Sequence, residues 1–175
     1  MLDFFKSKKI KTPSKILKEL IIFLDIDGVL YTSNYYNYLT TNKIPDMDKF
    51  GFIFDPKCVE NLNKLFEYRT IKIVISSTWR VKGIEFLKEL FKARNINVEI
   101  EIDMTPVGTI DKMFKNRYEE IKKYVDVNNV SDFIIIDDKE LGDDRYDEFL
   151  FETTMDQGLT DEILNNIITV ITKKS

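Results

Sequence analysis

The sequence predicts an α/β protein: a doubly wound, mainly parallel sheet of about five strands carrying at most a small cap insertion. Three observations predict it. Three short branched-aliphatic runs, "LIIFLDI" (Leu20–Ile26), "IKIVIS" (Ile71–Ser76) and "DFIIIDD" (Asp132–Asp138), have the composition of strands buried on both faces. The segments between them carry apolar residues at helical spacing, which argues for strand–helix–strand crossovers. The 175 residues suffice for one domain with one sizeable core.

Taken in order, residues 1–18 hold apolar residues and lysines but no hydrophobic stretch of signal or membrane-spanning length. They read as an N-terminal arm, without stable membrane insertion. The domain itself is expected over 19–175. Its first strand ends on Asp25, with Asp27 and Gly28 immediately after. The next stretch, Tyr31–Pro56, is polar and aromatic, without a firm period, and too long for an ordinary strand–helix turn. Such insertions beside a strand end usually bind or cover something, so it reads as a small lid. Its aromatics (Tyr31, Tyr35, Tyr36, Tyr38, Phe50, Phe52) either stack on a ligand or form a small core pinning the insertion to the sheet.

"CVENLNKLFEY" puts Val59, Leu62, Leu65 and Phe66 on one helical face, and "GIEFLKELFKA" does so with Ile84, Leu87, Leu90 and Phe91. "KMFKNRYEEIKKYV" spaces Met113, Phe114, Arg117, Tyr118, Ile121 and Val125 similarly. Weaker strands are expected at Asn97–Ile102 and Glu148–Thr153. A closing helix follows in "LTDEILNNIITVI", with Thr160 as N-cap.

Composition narrows the chemistry. Hydrophobic residues make up 43% and charged residues 32%, as in ordinary soluble domains, and the net charge of -4 advertises no general basic surface. One cysteine, Cys58, precludes an intrachain disulfide and points to a reducing compartment, the cytoplasm. Histidine is absent, which removes Ser-His-Asp, Cys-His and zinc-histidine chemistry. Carboxylates, hydroxyls, Lys, Arg or a hard metal must do whatever is done here.

The chemistry-bearing residues follow the apolar runs, at the carboxyl ends where parallel sheets bind ligands. They are Asp25 with Asp27, Ser76-Ser77 with Trp79-Arg80, and Asp137-Asp138, together with a basic residue in the helix preceding the last of these. Carboxylates converging from separate strands suit Mg²⁺, which takes oxygen ligands from a few acids plus substrate phosphate. A carboxylate can attack phosphorus covalently while a neighbouring acid protonates the leaving oxygen. Hydroxyl and backbone N–H groups at the second strand end can hold a phosphoryl oxygen.

"FLDIDGVLYT" resembles the first signature of the haloacid dehalogenase-like (HAD) hydrolase superfamily, D-x-D-G-[VT]-L. "IVISST" is similar to its second signature and "FIIIDD" to its fourth. "SSTWR" followed by "RYEEI" and "IDD" also resembles the branch found as phosphatase domains in RNA-repair fusion proteins. The resemblance covers Leu20–Phe151 and implies strand order 3-2-1-4-5 and Mg²⁺-dependent hydrolysis through an aspartyl-phosphate. By it Asp25 is the nucleophile and a metal ligand, and Asp27 the general acid/base with its backbone carbonyl on Mg²⁺. Ser76 binds the transferring phosphoryl group, Ser77 lines the site, and Asp138 is the more direct metal ligand with Asp137 beside or behind it. The basic position is assigned to Arg117, with Lys112 the alternative.

An EF-hand fails because Tyr36 stands at the twelfth loop position and a strand, not a helix, precedes the acids. A phosphoacceptor receiver domain puts its acidic pair early, whereas here the pair comes late. Trp79 reads equally as a core aromatic or a site wall, and Arg80 as a substrate contact. Cys58 reads as a buried helix residue. The substrate expected is a phosphorylated nucleotide or nucleic-acid end. Small phosphometabolites or sugar phosphates are the alternative within phosphatases, and an inactive binding module the alternative outside them.

Overall fold

The computed structural model of the chain describes residues 19–97, 99–107 and 116–173. In chain order the elements are β1 (Leu20–Leu24), α1 (Ser33–Thr41), β2 (Met47–Asp48), β3 (Gly51–Phe52), α2 (Pro56–Leu65), β4 (Ile71–Ile75), α3 (Ile84–Ala93), β5 (Glu101–Met104), α4 (Arg117–Asn128), β6 (Phe133–Asp137), β7 (Leu150–Glu152) and α5 (Asp161–Lys173). Short 3-10 turns occupy Thr78–Lys82 and Asp144–Phe149.

Five strands pair in parallel in the order β5-β4-β1-β6-β7. Counting only these strands along the chain, that is 3-2-1-4-5, the order the resemblance implied. β2 and β3 form a separate antiparallel hairpin.

Alternation along the central strands explains their apolar runs, which only Lys72 of β4 breaks. Leu20, Ile22 and Leu24, Ile73 and Ile75, and Ile134 and Ile136 face one core, shared with Leu62 and Leu65 of α2, Leu87 and Leu90 of α3, and Ile167 of α5. Phe23, Val74, Phe133 and Ile135 face the other, against Tyr118, Ile121 and Tyr124 of α4. Helices on both faces leave the residues of β1, β4 and β6 little wet side, Ile21 and Lys72 being half-buried. Each fully buried Leu or Ile contributes about 2 kcal/mol.

Four expectations shift in detail. β1 stops at Leu24 because the Ile26 carbonyl accepts the turn N–H groups of Leu30 and Tyr31. β5 starts at Glu101 instead of Asn97, whose own N–H and carboxamide are spent on Asn63 and the Glu99 N–H in a turn. β7 starts at Leu150, after the second 3-10 turn. Helix α1 lies in the stretch where no period was legible: Thr32 caps it by accepting the Tyr35 N–H at 3.2 Å, and Leu39 is its one buried residue. A helix with so little apolar face leaves no stripe in the sequence. Thr160 caps α5 through the Ile163 N–H, as expected. Lys112, Met113 and Phe114 lie outside the described residues, as does the 1–18 arm.

The insertion is anchored from below. Arg94, just past α3, donates to both oxygens of Asp48 (2.6 and 2.9 Å) and to the carbonyls of Gly51 (3.1 Å) and Phe52 (2.9 Å). Tyr31 stacks on Phe52 with centroids 4.6 Å apart, and Phe50 meets Phe86 edge-on. These aromatics form the small core that pins the hairpin. Tyr35 and Tyr38 stack on each other instead, with Tyr38 55% exposed. Among the described residues no helix is long and apolar enough to cross a membrane.

Candidate active site

At the carboxyl end of β1 the chain makes one tight turn. The Asp25 N–H bonds the Ile136 carbonyl of β6, and the Ser76 N–H bonds the Leu24 carbonyl, both at 3.0 Å. The sheet therefore fixes both backbones before any side chain is considered. Asp25 is buried, and its Oδ1 accepts the Ile26 N–H at 2.8 Å. Gly28 takes φ 74°, a left-handed value that glycine adopts without strain. A Cβ there would sit 2.5 Å from the Asp138 side chain. The glycine is what lets the β1 turn close against β6. Thr153 Oγ1 donates to the Gly28 carbonyl at 2.7 Å and pins the turn from beyond β7.

One oxygen each from Asp25, Asp137 and Asp138 lies within 4.8 Å of the others. Arg117, the first residue of α4, reaches into this cluster. Its Nη1 donates to Asp137 Oδ2 at 2.7 Å and to Ser76 Oγ at 3.2 Å, and lies 3.6 Å from Asp25 Oδ2. One guanidinium does not balance three carboxylates. Burial pushes the Asp137 carboxyl up to about 7 against the pull of Arg117, with the Asp25 charge adding to the rise. Asp138 is raised as well, first by burial, with Lys139 opposing and Asp25 adding. Asp138 Oδ1 is buried without a hydrogen-bond partner. An orphaned carboxylate oxygen beside two other carboxylates fits a divalent cation held by oxygen ligands.

Asp27 turns away from the cluster. Its Oδ2 accepts the indole Nε1–H of Trp79 at 3.0 Å. Its carboxyl is raised by burial, with the Trp79 bond opposing and the Asp25 and Asp138 charges adding.

Ser77 is buried and caps the 78–82 turn by accepting the Trp79 N–H. Arg80 is also buried, and its guanidinium points inward. It donates to the Ser76 and Ser77 carbonyls (2.7 and 2.8 Å) and to Glu120 at 2.5 Å. The structure thus places Arg80 behind the second strand end rather than facing the mouth. Glu120, which the sequence reading did not single out, receives Arg80 on one oxygen and lies 3.8 Å from Arg117 Nε on the other. Its spacing three residues after Arg117 was a legible signal, but the partnership with Arg80 was not. Lys139 was likewise missed; its charge acts on both Asp27 and Asp138. Asp25, Ser76, Arg117, Asp137 and Asp138 converge, Asp27 stands beside them within reach of the Asp25 and Asp138 charges and is joined to Trp79, and Lys112 lies outside the described residues.

A family model described as "HAD domain in Swiss Army Knife RNA repair proteins" matches residues 21–164. No curated protein matches the chain.

Proposed function

The chain belongs to the HAD domains of Swiss Army Knife RNA repair proteins, and from that premise we propose that it is a Mg²⁺-dependent phosphatase acting through an aspartyl-phosphate on nucleotides or nucleic-acid ends. The family supports a HAD-type hydrolase acting on a phosphorylated substrate. The observation that carries the finer reading is the cluster of Asp25, Asp137 and Asp138 oxygens within 4.8 Å, with Arg117 and Ser76 beside it.

In this reading Asp138, Asp137, Asp25 and the Asp27 carbonyl would hold Mg²⁺, with Asp138, through its unpartnered oxygen, the most direct ligand. The ion, when bound, neutralises phosphoryl oxygens. An Asp25 oxygen attacks phosphorus, the P–O ester bond breaks, and its electron pair leaves on the substrate oxygen. Asp27, as the acid, gives that oxygen its proton. Asp27, as carboxylate, then takes a proton from the water that attacks the aspartyl-phosphate, which frees Asp25 and inorganic phosphate. Arg117 and Ser76 hold the transferring group through the forked donor and the hydroxyl. Ser77 keeps the strand end in place.

The insertion at 31–56 acts as a light lid, leaving the site open to a bulky substrate. The stacked Tyr35–Tyr38 pair, with Tyr38 largely exposed, offers a face on which a base can stack. The lone cysteine supports a cytoplasmic setting.

The test is a parallel screen of phosphorylated oligonucleotide ends, nucleoside monophosphates, sugar phosphates and phosphopeptides, with and without Mg²⁺, beside the Asp25→Asn variant. Mg²⁺-dependent release of phosphate from the oligonucleotide ends, lost in Asp25→Asn, is expected. Undiminished turnover by Asp25→Asn would remove the nucleophile assignment. Efficient turnover confined to sugar phosphates would remove the nucleic-acid preference.

A further inference from the structure

We propose that Trp79 is a positioning residue for the proton-transfer step: its indole N–H fixes the Asp27 carboxylate and couples that carboxylate to the hairpin of the lid. Resting on the phosphatase reading above, the inference concerns one hydrogen bond and what surrounds it.

The bond is Trp79 Nε1–H to Asp27 Oδ2, 3.0 Å long, between residues 52 positions apart. Among the hydrogen bonds of the described residues it is the one made by the Asp27 carboxylate. It occupies Oδ2 and leaves Oδ1 to exchange a proton with the substrate. An aspartate with two free torsions and no partner would spread over several rotamers. A neutral donor on a rigid ring removes most of that freedom without adding a charge to compete for phosphate.

The ring itself cannot wander. Its backbone N–H is bound by Ser77 Oγ at the start of the 78–82 turn. Phe54 packs on it edge-on at 6.1 Å, and Lys82 Nζ lies 4.7 Å over its face. On the lid side it meets Gly51, the first residue of β3. A Cβ at Gly51 would stand 3.0 Å from the indole edge, so the hairpin rests directly on the ring. Arg94 clamps that same hairpin through the Gly51 and Phe52 carbonyls. A continuous path therefore runs from α3 through the hairpin and the indole to the carboxylate expected to protonate the leaving group.

Leaving-group dependence separates this role from simple packing. An alkyl phosphate expels a strongly basic oxygen that needs a proton in the transition state, whereas p-nitrophenyl phosphate expels a phenolate that does not. The quantity to compare is kcat/KM, which reports the first phosphoryl transfer rather than the later hydrolysis of the aspartyl-phosphate. Trp79→Phe keeps an aromatic ring and removes the donor. It is expected to lower kcat/KM for the alkyl phosphate by roughly 10-fold or more, and for p-nitrophenyl phosphate by less than about 3-fold. Trp79→His, with the ring flipped, brings Nε2 near the place of the indole nitrogen and is expected to recover part of the alkyl-phosphate loss. In an Asp27→Asn background Trp79→Phe is expected to add nothing to the alkyl-phosphate loss.

Equal losses on both substrates, with an unchanged melting profile, would overturn the positioning role and leave Trp79 a wall of the site. A full additive loss in the Asp27→Asn background would overturn it too. Should Trp79→Phe fail to fold, the Trp79→His comparison on the two substrates decides alone. If the wild-type protein hydrolyses neither substrate with Mg²⁺, nor any phosphorylated oligonucleotide, the phosphatase reading itself falls and takes this inference with it.

Discussion

Asp25→Asn should abolish turnover and yet make the Mg²⁺-free protein more stable. The Asp25 carboxylate lies 3.6 Å from Arg117 Nη1, an attraction of about 4.5 kcal/mol at an effective dielectric of about 20. It also lies within 4.8 Å of Asp137 and of Asp138, each repulsion being at least about 3.5 kcal/mol on the same scale. Two repulsions outweigh one attraction by about 2 kcal/mol. The cost of burying the charge, at 3% exposure, adds in the same direction. The asparagine carbonyl still accepts the Ile26 N–H, and Arg117 keeps Asp137 at 2.7 Å. For a chain of this length that is a rise of roughly 4–8 °C in Tm. Thermal unfolding followed by circular dichroism, at mildly alkaline pH with a chelator, measures it. Repeating the melts in millimolar Mg²⁺ should narrow or invert the gap if, as proposed, the wild-type site binds the ion and gains that free energy. If Asp25→Asn melts below the wild type in chelator, the three carboxylates are not in net repulsion and the electrostatic account of the site is wrong.

Gly28→Ala should cost about 1–3 kcal/mol and most of the activity, since the new Cβ meets Asp138 at 2.5 Å and the backbone is left-handed; full activity would show that the turn relaxes freely. The Arg94 fork, aided by the Phe50 N–H, holds the Asp48 carboxyl down at about 2. A depressed carboxyl contributes stability that is complete above the unfolded value of about 4 and is lost as pH falls toward 2. With Asp48 more than a third exposed, that contribution stays under about 1 kcal/mol. It should vanish from urea titrations of Arg94→Met, and an unchanged acid slope would refute the pairing. Burial pushes the Cys58 thiol up to about 12. It should resist alkylation in the native state and react on unfolding; rapid labelling of the folded protein would contradict its burial.

The central strands were legible because β1, β4 and β6 are buried on both faces and are apolar almost throughout, Lys72 of β4 being the one interruption. Asp25, Ser76 and Asp137 followed at once, since each stands at or just past the end of such a run. β5 was misplaced because it is an edge strand. Its polar Glu101 and Asp103 pair with Lys72, so the alternation is broken by charge. α1 left no trace because it buries little beyond Leu39. The inward turn of Arg80 and its pairing with Glu120, 40 positions away, depend on how α4 lies against the 78–82 turn. A single sequence does not carry that angle. The Trp79–Asp27 bond is hidden for the same reason: both residues looked chemically interesting, but nothing in their spacing joined them.

The turn that carries Gly28 is closed by Thr153, 125 positions later. The Leu159 N–H bonds the Val29 carbonyl, and Asn61 reaches the Leu159 carbonyl from α2. A site whose first aspartate shortly precedes Gly28 is therefore finished by a residue made 125 positions after that glycine. β1 and β4 can pair while synthesis continues, and the Ile26 carbonyl bonds the turn locally, but its most distant clasps arrive only with the stretch after β7. A chain that stalls before Thr153 carries Asp25 and Asp27 without the bond that holds the Gly28 turn shut.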